Sequence, residues 1–142
     1  KGSTEESKDG MDGALCVYDF KSMMLYVAMA NNPIWIVRQN EVLEFKPDKM
    51  PVGKFAGEQR SFTLHTIPLE KGDLVYTFTD GLADQFGGPK GKKFKYKQLE
   101  AVLLDNHHLP MEEQRAKLLT AFESWKGQLE QVDDVLVVGV RI

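Results

Sequence analysis

Cysteine is almost missing from this chain: Cys16 is the sole one in 142 residues. An intramolecular disulfide is therefore excluded, and within the apolar run 14–18 the thiol reads as a small core side chain. Long apolar runs are missing too. No stretch approaches the ~18–20 residues that a membrane-spanning helix needs, so no membrane contact is expected of this segment. Neither sign of charge dominates; the formal net charge is −3, and no global attraction to nucleic acid or to a membrane surface follows. The three histidines, His65, His107 and His108, have no His or Cys partner at zinc spacing. Residues 87–93 lack the spacing and the final Ser or Thr of a phosphate-binding Walker loop. Residues 80–84 lack the alternating acidic ligands and closing Glu of an EF-hand. There is no internal repeat. The polar start, residues 1–10, has no signal-peptide apolar core and is expected to be a disordered lead-in or the cut edge of a longer chain. An intracellular, cytoplasmic protein is the default expectation.

What is present is one domain's worth of chain over residues 11–142, with 42% hydrophobic residues, ample for a core. Apolar runs bounded by turn residues predict strands over 14–20, 25–30, 34–39 and 42–45. Residues 46–60, with two prolines and two glycines, predict a crossing loop. Residues 61–69 alternate as an edge strand ending at Pro68, and the turn 70–73 leads into a buried strand over 74–79. After a loop at 86–91 the period changes. Leu99, Val102 and Leu103 predict a helix over 97–106, and Leu118, Leu119, Phe122 and Trp125 predict another over 111–125. Glu112 and Glu113 suit the first turn of that helix, and Gly127 its end. A last strand covers 135–140. Strands and helices do not alternate, so the fold class is α+β, with antiparallel sheets and the helices packed on the outside.

Two acidic turns carry the chemistry. Asp80-Gly81 closes the apolar strand 74–79, and Asp133-Asp134 opens the last strand. If those strands are antiparallel neighbours, Asp80 and Asp133 share one sheet edge, with Gly81 letting the backbone turn away. Clustered carboxylates repel unless a cation lies between them, and oxygen-only ligands suit Mg²⁺ or Mn²⁺. Asp-Gly is also a common turn and Asp a poor strand former, so the pair of turns, more than either one, points to a metal.

In order along the chain, Gly10-Met11-Asp12-Gly13-Ala14, Ala30-Asn31-Asn32-Pro33, Lys71-Gly72-Asp73, Thr79-Asp80-Gly81-Leu82-Ala83-Asp84 and Val132-Asp133-Asp134-Val135 resemble one family. They are similar to the C-terminal half of the SpoIIE-like branch of type 2C (PPM) metal-dependent protein serine/threonine phosphatases, above all in bacterial sensor-linked members. The resemblance implies an αββα sandwich holding two Mn²⁺ or Mg²⁺ ions, whose bridging water attacks phosphorus in line. By position it makes Asp80 and Asp133 metal ligands, Gly81 the turn of the site, and Asp84 a ligand to a metal-held water or a weaker third ion; Asp134 caps the turn or faces solvent. The family's first half supplies a further ligand aspartate and an Asp-x-x-Gly-type turn. Neither has a counterpart here, and Asp9, Asp12 and Asp19 do not stand in the context that would replace them.

The same resemblance implies a phosphoprotein substrate, such as an anti-sigma-antagonist-type protein in a partner-switching pathway. It also implies an upstream sensor module that could tether the protein to a membrane. The rival function is a non-catalytic, phosphatase-like interaction domain. Lys92, Lys93 and Lys95 belong to a basic run that is either a solvated loop or a rim steering an acidic phosphoprotein toward the metals. No nucleic-acid-binding module surrounds them. The isolated chain is expected to fold, to hold metal weakly, to lack phosphatase turnover, and to pair as a homodimer through an uncovered sheet edge or face.

Overall fold

The computed structural model describes residues 9–54, 57–58 and 60–142. Residues 1–8 of the expected lead-in therefore lie outside the described residues, whereas Gly10 already belongs to a strand. In chain order the strands are β1 (Gly10–Met11), β2 (Gly13–Asp19), β3 (Met24–Ala30), β4 (Ile34–Arg38), β5 (Glu41–Phe45), β6 (Val52–Gly53), β7 (His65–Pro68) and β8 (Leu74–Phe78). A single helical turn, α1 (Gly81–Asp84), precedes the small strands β9 (Phe86–Gly87) and β10 (Lys92–Lys93). Helices α2 (Tyr96–Asn106) and α3 (Met111–Lys126) follow, and β11 (Val137–Arg141) ends the order.

Two antiparallel sheets form the body, in the orders β11-β8-β4-β5 and β2-β3-β7. Period-2 alternation explains how the four-stranded sheet serves two cores at once. Trp35, Val37, Leu74, Tyr76 and Phe78 face α2 and α3, where Leu99, Leu103 and Phe122 meet them. Their neighbours Ile34, Ile36 and Val75 face the other way, against Leu25, Val27, Met29 and Ile67 of the three-stranded sheet. Buried on both faces, β4 reads as an unbroken apolar run, as a covered strand should. Each such Leu or Ile contributes about 2 kcal/mol by leaving water. The layers are helix, sheet, sheet, so the fold is α+β with antiparallel sheets and the helices outside. Among the described residues no helix is long and apolar enough to cross a membrane.

Several expectations from the sequence change, and the strand over 61–69 is regular only at His65–Pro68. The stretch 46–60 is not wholly loop: Val52 pairs with Met11, and Asp48 bridges to Ala30. The loop predicted over 86–91 starts as half of a hairpin, Phe86 opposite Lys93. Regular pairing of the last strand begins at Val137, two residues later than expected, because Thr79 replaces a main-chain partner there with its side chain. Its Oγ1 accepts the Leu136 N–H at 3.1 Å and donates to the Asp134 carbonyl at 3.2 Å.

Candidate metal centre

The register of β11 on β8 sets the site. Val137 stands opposite Phe78 in an antiparallel pair, and the Thr79 N–H donates to the Leu136 carbonyl at 3.0 Å. One step further along each chain, the turn beginning at Asp80 meets the loop ending at Asp134. Gly81 is where they touch. A Cβ at that position would run into the Asp134 carbonyl, and Gly81 opens α1 with an ordinary negative φ. Its glycine is thus required by close approach of a second backbone, and the conformational freedom expected from the sequence is not what the position uses.

Charge gathers at this end of the sheet. The Asp80 carboxyl is held above its ordinary value, first by partial burial and then by the negative charges of Asp84, Asp133 and Asp12. The Tyr96 phenol is likewise pushed up, by burial and by the charges of Asp80, Asp84 and Glu44. The charge of Asp133 therefore reaches Asp80 at the end of the sheet where the two turns meet. Asp84 sits one turn after Asp80, its N–H donating to the Asp80 carbonyl at 2.9 Å. Its carboxylate accepts Lys93 Nζ at 3.3 Å, an ion pair between two half-exposed groups. Asp133 turns its Oδ1 back to the Asp134 N–H at 2.7 Å. Asp134 contributes backbone: its carbonyl packs on Gly81 and accepts Thr79 Oγ1. Lys92 and Lys95 flank Lys93 on exposed ground.

The donor set fits a hard divalent cation. It is all carboxylate, without thiol or imidazole, and it lowers its own repulsion when a cation enters. It is also incomplete. Among the described residues no three acidic, His or Cys side chains converge closely enough to hold an ion by themselves.

Three neighbours of the site escape a reading of the sequence. Asp12, outside the expected ligand set, lies near enough for its charge to reach Asp80, and it accepts Asn31 Nδ2 at 2.8 Å from a residue whose φ is +60°. The Asn31-Asn32-Pro33 turn was the available signal. Tyr96 opens α2 against the aromatic rings of Trp35 and Phe78; a helix-start tyrosine gives no such warning. Gln85, fully buried beside the turn, looks in sequence like any polar loop residue.

Comparison with known proteins agrees with this geometry. The family model for stage II sporulation protein E (SpoIIE) matches residues 4–142. No curated protein matches the chain. Among solved structures, the SiaA-PP2C domain of Pseudomonas aeruginosa is 26% identical with a TM-score of 0.83, covering 92% of this chain and 51% of that one. The phosphatase domain of SpoIIE from Bacillus subtilis, soaked in Mn, is 19% identical with a TM-score of 0.68, covering 99% and 60%. The RsbU and RsbW domains of a Mycobacterium tuberculosis protein are 19% identical with a TM-score of 0.69, covering 90% and 35%. The chain spans about half the length of the first of these.

Proposed function

The chain belongs to the SpoIIE family, and from that premise we propose that it is the C-terminal part of a bacterial metal-dependent phosphoserine/phosphothreonine protein phosphatase domain. The observation that supports the reading is the β8–β11 pairing, whose turns carry Asp80 and Asp133, with the Asp80 carboxyl raised first by partial burial and then by the charges of Asp84, Asp133 and Asp12. Asp80 and Asp133 hold Mn²⁺ or Mg²⁺ in this proposal, with Asp84 and Asp12 near enough to orient metal-held water. A divalent ion bound there supplies positive charge to a phosphoryl group and lowers the pKa of a bound water. The chain's own residues do the rest: Gly81 lets the two backbones close, Asp84 is restrained by Lys93, and the exposed lysines draw in an acidic partner.

The remaining ligands come from the other half of the domain. We propose accordingly that the 142-residue chain folds, binds Mn²⁺ or Mg²⁺ weakly and has no appreciable turnover by itself. The whole protein, cytoplasmic and coupled to a sensor module, acts on a phosphoprotein of the anti-sigma-antagonist type. The outer edge of β11, next to the exposed Leu136 and Val138, is where the rest of the domain or a second copy pairs.

The test is hydrolysis of phosphoserine and phosphothreonine peptides by a protein carrying this chain with the rest of its domain. Activity is expected only with Mn²⁺ or Mg²⁺, and turnover that survives complete chelation overturns the reading. A second reading, an interaction domain without chemistry, draws on the absence of a three-ligand cluster among the described residues. Full turnover that is lost in Asp80→Asn excludes it.

A further inference from the structure

Gln85 is fully buried, five residues after Asp80. Its Nε2 donates to the Glu130 carbonyl at 2.8 Å and to the Phe86 carbonyl at 3.0 Å. Both partners are acceptors, so the amide has one workable orientation; reversed, its oxygen would face two carbonyls. The cost of that orientation is visible: Oε1 is buried with no hydrogen-bond donor among the described residues. An apolar side chain of the same shape would carry no such unpaired atom. What the glutamine supplies in exchange is the link to Glu130. The backbone around it is already fixed, with the Gln85 carbonyl accepting Trp125 Nε1 at 3.1 Å and the Phe94 N–H at 2.9 Å. Gln85 is therefore a rigid post.

Residues 130–136 have no regular structure. Among the described residues, hydrogen bonds from this stretch to other parts of the fold run through Gln85 at Glu130 and through Thr79 at Asp134 and Leu136. Thr79 and Gln85 flank Asp80 and Asp84 in sequence, and Glu130 and Asp134 flank Asp133. The two ties bracket the acidic pair from both sides. Thr79 sits in the strand register and is held by it; Gln85 is the tie on the far side, where no strand continues.

We propose that Gln85 is a positioning residue of the metal centre, setting through the Glu130 carbonyl where Asp133 stands relative to Asp80. The inference rests on the reading of Asp80 and Asp133 as cation ligands, and the experiment separates the two. Mn²⁺ is titrated into the protein, with the free ion counted by electron paramagnetic resonance. The proteins compared are wild type, Asp80→Asn, Asp133→Asn and Gln85→Met, each held well below its melting temperature. Gln85→Met keeps the side-chain length and removes the donor. It is expected to weaken Mn²⁺ binding about tenfold or more, as loss of a ligand-orienting partner does. Amide exchange should quicken over 130–134 while β8 and β11 keep their protection. A Gln85→Met protein that melts earlier yet binds Mn²⁺ like wild type overturns this inference alone and leaves a merely structural glutamine. Unchanged binding in Asp80→Asn and Asp133→Asn overturns the metal reading and this inference with it. Should Gln85→Met fail to fold, Gln85→Asn, one methylene shorter, is titrated in its place: weakened Mn²⁺ binding supports the inference, and wild-type binding overturns it.

Discussion

The backbone carbonyl of Asp134 lies where a Cβ on residue 81 would have to be. Substituting Gly81→Ala must therefore push apart the two segments that carry Asp80 and Asp133. The expected cost is about 2 kcal/mol, as for other overpacked sites, measurable by urea unfolding. Metal affinity should fall with it. An alanine variant of wild-type stability would show that the loop gives way freely.

Asp80 is expected to weaken the metal-free fold. Its carboxyl holds its proton to higher pH than in the unfolded chain, through partial burial and the charges of Asp84, Asp133 and Asp12. As pH rises past the unfolded value of 3.8, the unfolded chain releases that proton first, so stability is lost on going up. Asp80→Asn should thus melt higher than wild type at neutral pH without metal, and the difference should vanish in acid. Calorimetry across pH checks the sign. Lower melting at neutral pH would mean that Asp80 has an attractive partner.

Asp73 titrates in the opposite sense. Burial alone would raise its carboxyl, but hydrogen bonds from Arg38 and the Glu70 N–H outweigh burial and hold it below its ordinary 3.8. Arg38 Nη2 reaches Asp73 Oδ2 at 2.6 Å and Nε reaches Oδ1 at 2.9 Å. A depressed carboxyl stabilises above the unfolded value, and that contribution is lost as pH falls through the folded one. Asp73→Ala should cost about 2–3 kcal/mol at pH 7, since it leaves the largely covered Arg38 guanidinium with only the more exposed Glu70 as its ionic partner. The loss should shrink below pH 3.8. A pH-independent deficit would assign the effect to packing.

Replacing Lys92, Lys93 and Lys95 with Ser in the complete enzyme should slow capture of a protein substrate and leave a small aryl phosphate nearly untouched, most clearly at low salt. Lys93→Ser alone also frees the Asp84 carboxylate from its ion pair. Equal effects on both substrates would place these lysines inside the reaction or in the fold's stability.

Much of this was legible in the sequence because burial patterns wrote it there. β4 and β8 announce themselves as apolar runs, and α3 as a stripe of Leu118, Phe122 and Trp125 with acidic residues at its start. The candidate turns at Asp80 and Asp133 stood out because Asp is out of place beside such strands. The two-residue strands were not: β6 depends on a partner far away in sequence, Met11, β9 pairs with Lys93 only across a short hairpin, and neither is long enough to carry a period of its own. Asp12 and Gln85 were hidden for a similar reason. Their meaning comes from Asn31 and Glu130, and only the folded chain brings those near.

The pairing of β8 with β11 encloses both long helices between its two strands. Closing that span is the costly, slow kind of contact, because the chain between must be ordered before the ladder is gained. Local helix formation can run ahead of it, but no partly folded form in which β11 is undocked can own the acidic site. With Asp80 and Asp133 as cation ligands, as proposed, occupancy by a divalent ion is a report on the finished molecule, and added Mn²⁺ should act as a latch on the last strand, slowing unfolding while leaving the earliest steps of folding at their metal-free pace.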